Sequence, residues 1–363
     1  MKLFLRCVFL VAGSLLAFPV CAATLPGIPE FIDEMVVKHQ FNRDELTVLF
    51  ERANHRPQII EAISRPAMAK PWLEYRASFV NPQRVKLGLI FWDKYRTELL
   101  RAEKKYGVPQ EIIVALIGVE TVYGQSMGSF RTLDALTTLA FDYPRRSAFF
   151  RDELENYLLL AREQQLDLLE VRGSYAGALG IPQFMPSSYH KYAVDFNGNH
   201  KTDLLNEAAD AIGSVGNYMN GYGWDNGGPI AVRAEVADGC CAGIAGTPRS
   251  PTEWAYVGVT SGVKNVPADP ARLLNFTVTE GREYWLVFNN FDVITRYNNS
   301  NFYAMSVFQL SEALKAAHQA NTVICPSNGS RRDVARRAIT RKHMKHTKNT
   351  KKLKPAHHVK HRH

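Results

Sequence analysis

Between Val108 and Gly124 the apolar positions Ile112, Ile113, Leu116 and Ile117 recur at three- and four-residue spacing, which predicts a helix with one buried face. Pro109 suits its first turn and Gly124 its end. Glu120 lies four residues past Leu116 and three past Ile117, on the apolar face. An ionised carboxylate there is costly unless paired or protonated. That cost suits a general acid, whose proton affinity must rise toward the working pH. Periodicity alone favours a helix-end glutamate that bends out to solvent or pairs with an arginine.

The same helical period recurs along most of the chain. FIDEMVVKH and DELTVLF read as amphipathic helices joined near Asn42-Arg43, and Pro57 to Ala69 as a short helix or turn. The aromatic WLEYRASF segment ends at Asn81-Pro82, and Gln83 to Tyr106 predicts one long helix. Arg151 to Leu169, Glu207 to Met219 and Asn301 to Ala320 are further helices, while glycines and prolines break the pattern between Gly173 and Ser188. After Gly227-Gly228-Pro229 the character changes. IAVRAEVA, Trp254 to Val259, Leu274 to Val278 and Glu283 to Phe288 read as strands separated by turns. The pattern is that of a mainly α chain carrying a small β insertion.

The two ends differ from this body. Lys2 and Arg6 precede an apolar run to about Val20, and Val20-Cys21-Ala22 offers a small-residue cleavage site. This predicts a secretory signal peptide over residues 1–22 and export to the periplasm; the run is short for a membrane span. Cys21 lacks the usual small residue before a lipidated cysteine, so lipid anchoring is not expected. Cys240, Cys241 and Cys325 remain, too few for a disulfide framework; one bridge from Cys325 is compatible with export.

Residues 327–363 carry thirteen Lys or Arg against Asp333 alone. That tail is formally +12 while the whole chain is +9, so everything before it is −3. The high pI therefore describes a tail, not a basic folded surface. Few large apolar residues predict a disordered tail whose partners are anionic envelope surfaces, or a solubilising tail with no partner. Export makes nucleic acid the least suitable partner. Its six histidines have no metal-site spacing.

Two further stretches carry candidate chemistry. In GALGIPQFMPSSY, Gly177, Gly180, Pro182 and Pro186 restrict or free the backbone around Gln183, in a form able to hold an amide against a hydroxyl-rich ligand; spacing alone favours a structural turn. In DFNGNHKTDLLN, oxygen-bearing side chains fall at positions 1, 3, 5, 9 and 12: Asp195, Asn197, Asn199, Asp203 and Asn206. Lys201 offers its carbonyl at position 7. This resembles an EF-hand calcium loop, with His200 replacing the usual glycine and Asn206 the bidentate glutamate, both of which weaken binding. A polar turn held by Asx hydrogen bonds is the alternative.

IIVALIGVETVYG, FDYPRRSAFF, GALGIPQFMPSSYHKYAVDFNG, DAIGSVGNYM and VITRYNNSNFYAM resemble, in that order, the membrane-bound lytic murein transglycosylase B family. The resemblance spans nearly all of residues 28–320. It implies a lysozyme-like catalytic core with an additional helical region and a small β domain. The division that follows is a transglycosylase region over 23–326: a helical region 28–107, a central core 108–227, a β module 228–288 and a return to helix over 289–326.

The resemblance places the family's single catalytic carboxylate on Glu120. It implies substrate contacts at Gln183 with Ser174 nearby, at Tyr218, Tyr297 and Tyr303, and more weakly at Tyr75. Arg145 would orient the glutamate or a loop. For the tyrosines an ordinary alternative is a core ring whose hydroxyl finds a backbone partner. The family also raises the case for structural Ca2+ in the 195–206 loop, with no cofactor needed for the chemistry. The implied substrate is the peptidoglycan glycan strand, cut at the β-1,4 bond after N-acetylmuramic acid to leave 1,6-anhydromuramoyl ends. A lysozyme-type hydrolase and a silent wall-binding protein are the competing readings.

Overall fold

Short polar side chains start several of the helices. Asn42 accepts the backbone N–H groups of Asp44 and Glu45 at 2.9 and 3.1 Å, and Asn81 that of Arg84 at 2.9 Å. The structure is a computed structural model that describes residues 25–65, 70–237, 247–263 and 267–324. The expected signal peptide, the three downstream cysteines and the basic tail lie outside the described residues.

In chain order the helices begin with α1 (Ile28–His39), α2 (Arg43–Glu51), α3 (Pro57–Ser64), α4 (Trp72–Phe79), α5 (Pro82–Lys94), α6 (Arg96–Tyr106) and α7 (Gln110–Thr121). Strand β1 (Phe130–Arg131), α8 (Thr132–Asp142), α9 (Ser147–Gln164), β2 (Arg172–Gly173), α10 (Pro186–Tyr192) and α11 (Ala208–Gly221) follow. Then come β3 (Ala231–Val236), α12 (Pro251–Tyr256), β4 (Val259–Ser261), β5 (Arg272–Val278), β6 (Gly281–Val287), α13 (Asn289–Tyr297) and α14 (Asn301–Ile324). The mainly α, lysozyme-like reading with small β insertions therefore holds.

Three local expectations are corrected. The long helix over 83–106 is two helices, because Tyr95 leaves helical geometry (φ −112°, ψ 29°) and packs its ring 4.8 Å from Phe91. Trp254 to Val259 is not a strand. Ser250 accepts the Glu253 N–H while the Glu253 carboxylate accepts that of Ser250, and this capping box starts α12; β4 begins only at Val259. The helix expected over 108–124 ends at Thr121, before its glycine, because Val122 and Tyr123 already have positive φ of 51° and 62°.

The chain forms two compact units. The first comprises the described residues 25–65, Gly128–Leu179 and Phe184–Lys191. Here α8 packs on α9 and α3, and α1 on α2, around buried Phe31, Phe50, Leu136, Phe150 and Leu158. Strands β1 and β2 pair antiparallel, Phe130 opposite Gly173.

The second unit comprises the described residues of 70–127, Gly180–Gln183 and the described chain from Tyr192 to Ile324. Its centre is α7, whose residues Ile112 to Val119 are all buried, against α14, α5, α6 and α11. A fully antiparallel sheet of order β4–β3–β6–β5 belongs to the same unit, with Trp254, Leu273, Leu286 and Phe288 in its core. Trp72 on α4 stacks toward Phe276 of β5 (4.6 Å) and Phe302 of α14 (5.2 Å), and its Nε1 donates to Glu283 of β6 at 2.8 Å. That anchoring fixes the helix that carries Tyr75.

Candidate active site

Glu120 sits in the last turn of α7, where eight consecutive buried residues have brought the helix into the interior of the second unit. Its side chain keeps partial solvent access, and the groups that act on it are tyrosines. Burial pushes the carboxyl up to about 7, only partly opposed by the Tyr303 hydroxyl, which donates to Oε1. Neither the arginine partner nor the solvent-facing side chain that periodicity allowed is what the carboxylate meets.

The tyrosines gather around this carboxylate. Glu120 raises the proton affinity of Tyr75, Tyr218, Tyr297 and Tyr303 in addition to the larger effect of burial, so all four hydroxyls are held neutral and able to donate. Tyr297 and Tyr303 lie nearly parallel, 6.4 Å apart at 15°, and Tyr218 meets Tyr297 at 4.8 Å. Tyr218 is 5% exposed and donates its hydroxyl to the Arg296 carbonyl at 2.7 Å, the geometry of a core ring whose hydroxyl finds a backbone partner. Tyr75 is half-buried beside Phe79 and Phe302.

Gln183 closes the tight turn that starts at Gly180. Its φ is +54°, and its amide nitrogen donates to the carbonyls of Met127 (3.1 Å) and Gly180 (2.9 Å). Both bonds go to backbone, which leaves the amide oxygen as the group able to read a ligand. The turn itself is held from two sides: Tyr297 donates to the Pro182 carbonyl, and Thr121 Oγ1 to that of Ile181 at 2.7 Å. A side chain at Gly180 would meet the Leu204 carbonyl at 2.3 Å, and its φ is +70°, so only glycine fits. Ser174 belongs to the first unit, where Oγ accepts the N–H groups of Ala176 and Ala178. Arg145 is exposed in a single 3-10 turn of that unit.

The other acidic groups have structural partners. Asp134, 1% exposed, accepts from Arg131, Arg56 and the Asn54 N–H; Asp142 pairs with His55 at 2.7 Å. In the 195–206 loop Asp195 accepts three backbone N–H groups, from Gly198, Asn199 and His200. Asn197 accepts one from Asn199, and Asn199 one from Lys201. Asp203 takes the Asn206 amide and, at 3.1 Å, the Lys201 ammonium. Among the described residues no three His, Cys, Asp or Glu side chains gather as a metal site.

Sequence reasoning missed several supporting groups. Fully buried Asp210 accepts the N–H groups of Phe196, Asn197 and Asp203 and so ties the loop to α11. Tyr192 and Tyr222 extend the aromatic cluster, 4.9 and 4.7 Å from Tyr218. Thr121, Tyr123 and Arg84 hold the end of α7. Thr121 and Tyr123 lie inside the GVETVYG stretch itself, so adjacency to Glu120 was the available signal.

The family model described as "Transglycosylase SLT domain" matches residues 25–312. The chain is 43% identical over 308 residues to membrane-bound lytic murein transglycosylase B of Escherichia coli (strain K12), covering 81% of this chain and 84% of that one. It is similar to soluble lytic transglycosylase SltB1 of Pseudomonas aeruginosa, at 44% identity and TM-score 0.76, over 81% of this chain and 100% of that chain. It is also similar to Escherichia coli lytic transglycosylase Slt35 in complex with calcium, at 43% identity and TM-score 0.77, over 82% and 95%. With a family model over most of its length and a relative 43% identical over 81% of it, the chain belongs to the lytic murein transglycosylase B family.

Proposed function

We propose that Glu120 is the single acid–base group of this enzyme. The reaction is that of its family: non-hydrolytic cleavage of the peptidoglycan glycan strand between N-acetylmuramic acid and N-acetylglucosamine, leaving 1,6-anhydromuramoyl ends. Protonated Glu120 donates to the departing glycosidic oxygen. The N-acetyl group of the muramoyl sugar supports the developing positive charge. Ionised Glu120 then accepts the proton of that sugar's own O6 hydroxyl as O6 attacks the anomeric carbon.

Internal attack explains why one carboxylate suffices. An inverting hydrolase needs a second to activate water, and a retaining one needs it as nucleophile. O6 replaces that water at the high effective concentration of a group on the same ring. A carboxyl raised to about 7 is protonated enough to donate near neutrality and basic enough to take the O6 proton back. That match carries the reading. Asp134 and Asp142 already have partners within the first unit.

Around Glu120 we assign the half-buried Tyr297 ring and Tyr75 to the sugar faces and the Gln183 amide oxygen to a sugar hydroxyl or amide, while Tyr303, 3% exposed, acts toward the substrate through its hydroxyl on Glu120. Tyr218 supports the ring of Tyr297, and Ser174 caps its own loop within the first unit. The all-oxygen set of Asp195, Asn197, Asn199, Asp203, Asn206 and the Lys201 carbonyl suits a hard cation. With two carboxylates and the Lys201 ammonium competing for Asp203, the loop holds calcium weakly and for structure only. Residues 1–22 direct export to the periplasm, and the 327–363 tail retains the enzyme at anionic envelope surfaces.

Mass analysis of products from purified peptidoglycan tests the assignment. Wild type should yield anhydromuramoyl ends and Glu120→Gln essentially none. Reducing muramic acid ends would indicate hydrolysis instead.

A further inference from the structure

The end of α7 is built in an expensive conformation. Val122, Tyr123 and Gly124 in succession have positive φ, and a β-branched residue such as Val122 rarely adopts it. Such strain persists only where surrounding contacts over-determine it. Those contacts converge on the Tyr123 ring and the Arg84 guanidinium, neither of which the reaction uses.

The Tyr123 ring lies in a pit made by two glycines on neighbouring helices. A Cβ at Gly118 of α7 would come within 2.6 Å of the Tyr123 hydroxyl, and one at Gly88 of α5 within 2.4 Å. Both glycines have ordinary φ, so they are needed for space and not for backbone freedom. The hydroxyl donates to the Arg84 carbonyl at 2.9 Å, and the ring packs 5.6 Å from Phe91. Arg84 completes the ring of contacts. Its guanidinium donates to the Gly118 carbonyl and, at 3.2 Å, to the Ser78 carbonyl at the end of α4. Gly118 lies two residues before Glu120, and Ser78 three after Tyr75.

We propose that Arg84 and Tyr123 are positioning residues that lock the last turn of α7 against α4 and α5, holding Glu120 and Tyr75 in a fixed mutual geometry. The pair touches no reacting atom and acts through Glu120, so it rests on the assignment of that residue as the acid. The groups facing Glu120 are Tyr75 from α4, Tyr218 from α11, Tyr297 from α13 and Tyr303 from α14. Any drift of the helix end changes its placement among them and its exposure to water.

The test compares Tyr123→Phe, Tyr123→Ala and Arg84→Lys with wild type on purified peptidoglycan, measuring kcat, KM, the alkaline limb of kcat/KM and thermal unfolding. Tyr123→Phe keeps the ring in its pit; lysine cannot bridge two carbonyls as a guanidinium does. The expected result is a fall in kcat of about tenfold for Tyr123→Phe and Arg84→Lys at little-changed KM, and a greater fall for Tyr123→Ala. The alkaline limb should move to lower pH as Glu120 gains water. Lowered thermal stability with kcat and the limb both at wild-type values would make the pair merely structural and overturn the inference. If Arg84→Lys does not fold, Tyr123→Phe decides alone. Glu120→Gln serves as the reference: anhydromuramoyl ends formed at the wild-type rate by that variant would remove the underlying assignment instead.

Discussion

Glu120 in the second unit and Asp134 in the first are both carboxylates carried on helices into apolar surroundings, yet they have opposite fates. Asp134 is met by two guanidinium groups and a backbone N–H, so its charge is compensated from several sides. Glu120 is met by one tyrosine hydroxyl among rings, so burial dominates and lifts its pKa to about 7. Glu153 on α9 falls between them. It accepts the Ser187 N–H at 2.9 Å and hydroxyl at 2.6 Å, and burial still raises it. Burial alone does not make a catalytic group. The number of donors pointed at the carboxylate decides whether it holds the fold or exchanges a proton.

The largest expected effect comes from removing the under-compensated member. Glu120→Gln should lose about a hundred- to ten-thousand-fold in product formation, measured as release of anhydromuramoyl ends. Its stability should change in the opposite sense. The folded-state pKa of Glu120 is raised, so the folded protein binds this proton more tightly than the unfolded chain does. The contribution of Glu120 to wild-type stability is therefore fullest below about pH 4.5 and is lost as pH rises through about 7. Glutamine has no such loss. The variant should gain on wild type across that window by about 2 kcal/mol, after allowing for residual solvent contact, in denaturant unfolding at pH 5 and pH 8.

The compensated member should behave in reverse. Asp134→Asn leaves Arg131 and Arg56 without a counter-charge and should cost about 2–4 kcal/mol in denaturant unfolding. Its activity per folded molecule should follow the wild-type pH profile. If that profile shifts instead, Asp134 is part of the chemistry and the contrast fails.

A finer test changes the donor count at Glu120 by one. The Tyr303 hydroxyl lowers the glutamate's pKa, so Tyr303→Phe should raise it further and move the alkaline limb of kcat/KM upward by up to about one pH unit. No movement, or movement downward, would mean the hydroxyl does not act on the carboxylate in solution.

The smallest effect belongs to the 195–206 loop, whose side chains already satisfy its own backbone. Millimolar calcium should raise stability by about 1 kcal/mol and leave kcat unchanged, as read by thermal unfolding with and without chelator. A large chelator-sensitive loss would show that the loop depends on the ion.

The order of helices was legible because each buries one face, and a 3.6-residue period records that face directly in the residues. Glu120 stood out for the same reason, as a charged residue on an apolar stripe, but its catalytic role came only with the family resemblance. Trp254 to Val259 was misread because β-branched and aromatic side chains suit strand and buried helix alike, and the Ser250–Glu253 capping box settled the matter. Tyr95 interrupts its helix with no glycine or proline to announce it.

What the sequence determined by itself was most of the helices, because a local period records each buried face, and the family, because its motifs are spread along the chain in order. What only tertiary structure decided was the carboxylate's proton affinity, the left-handed turn beyond it and the pit that receives Tyr123. Each of these depends on side chains distant in sequence: Tyr303 lies on α14, and Gly88 and Arg84 on α5. Desolvation is a property of everything that surrounds a group, and no window of neighbouring residues contains it.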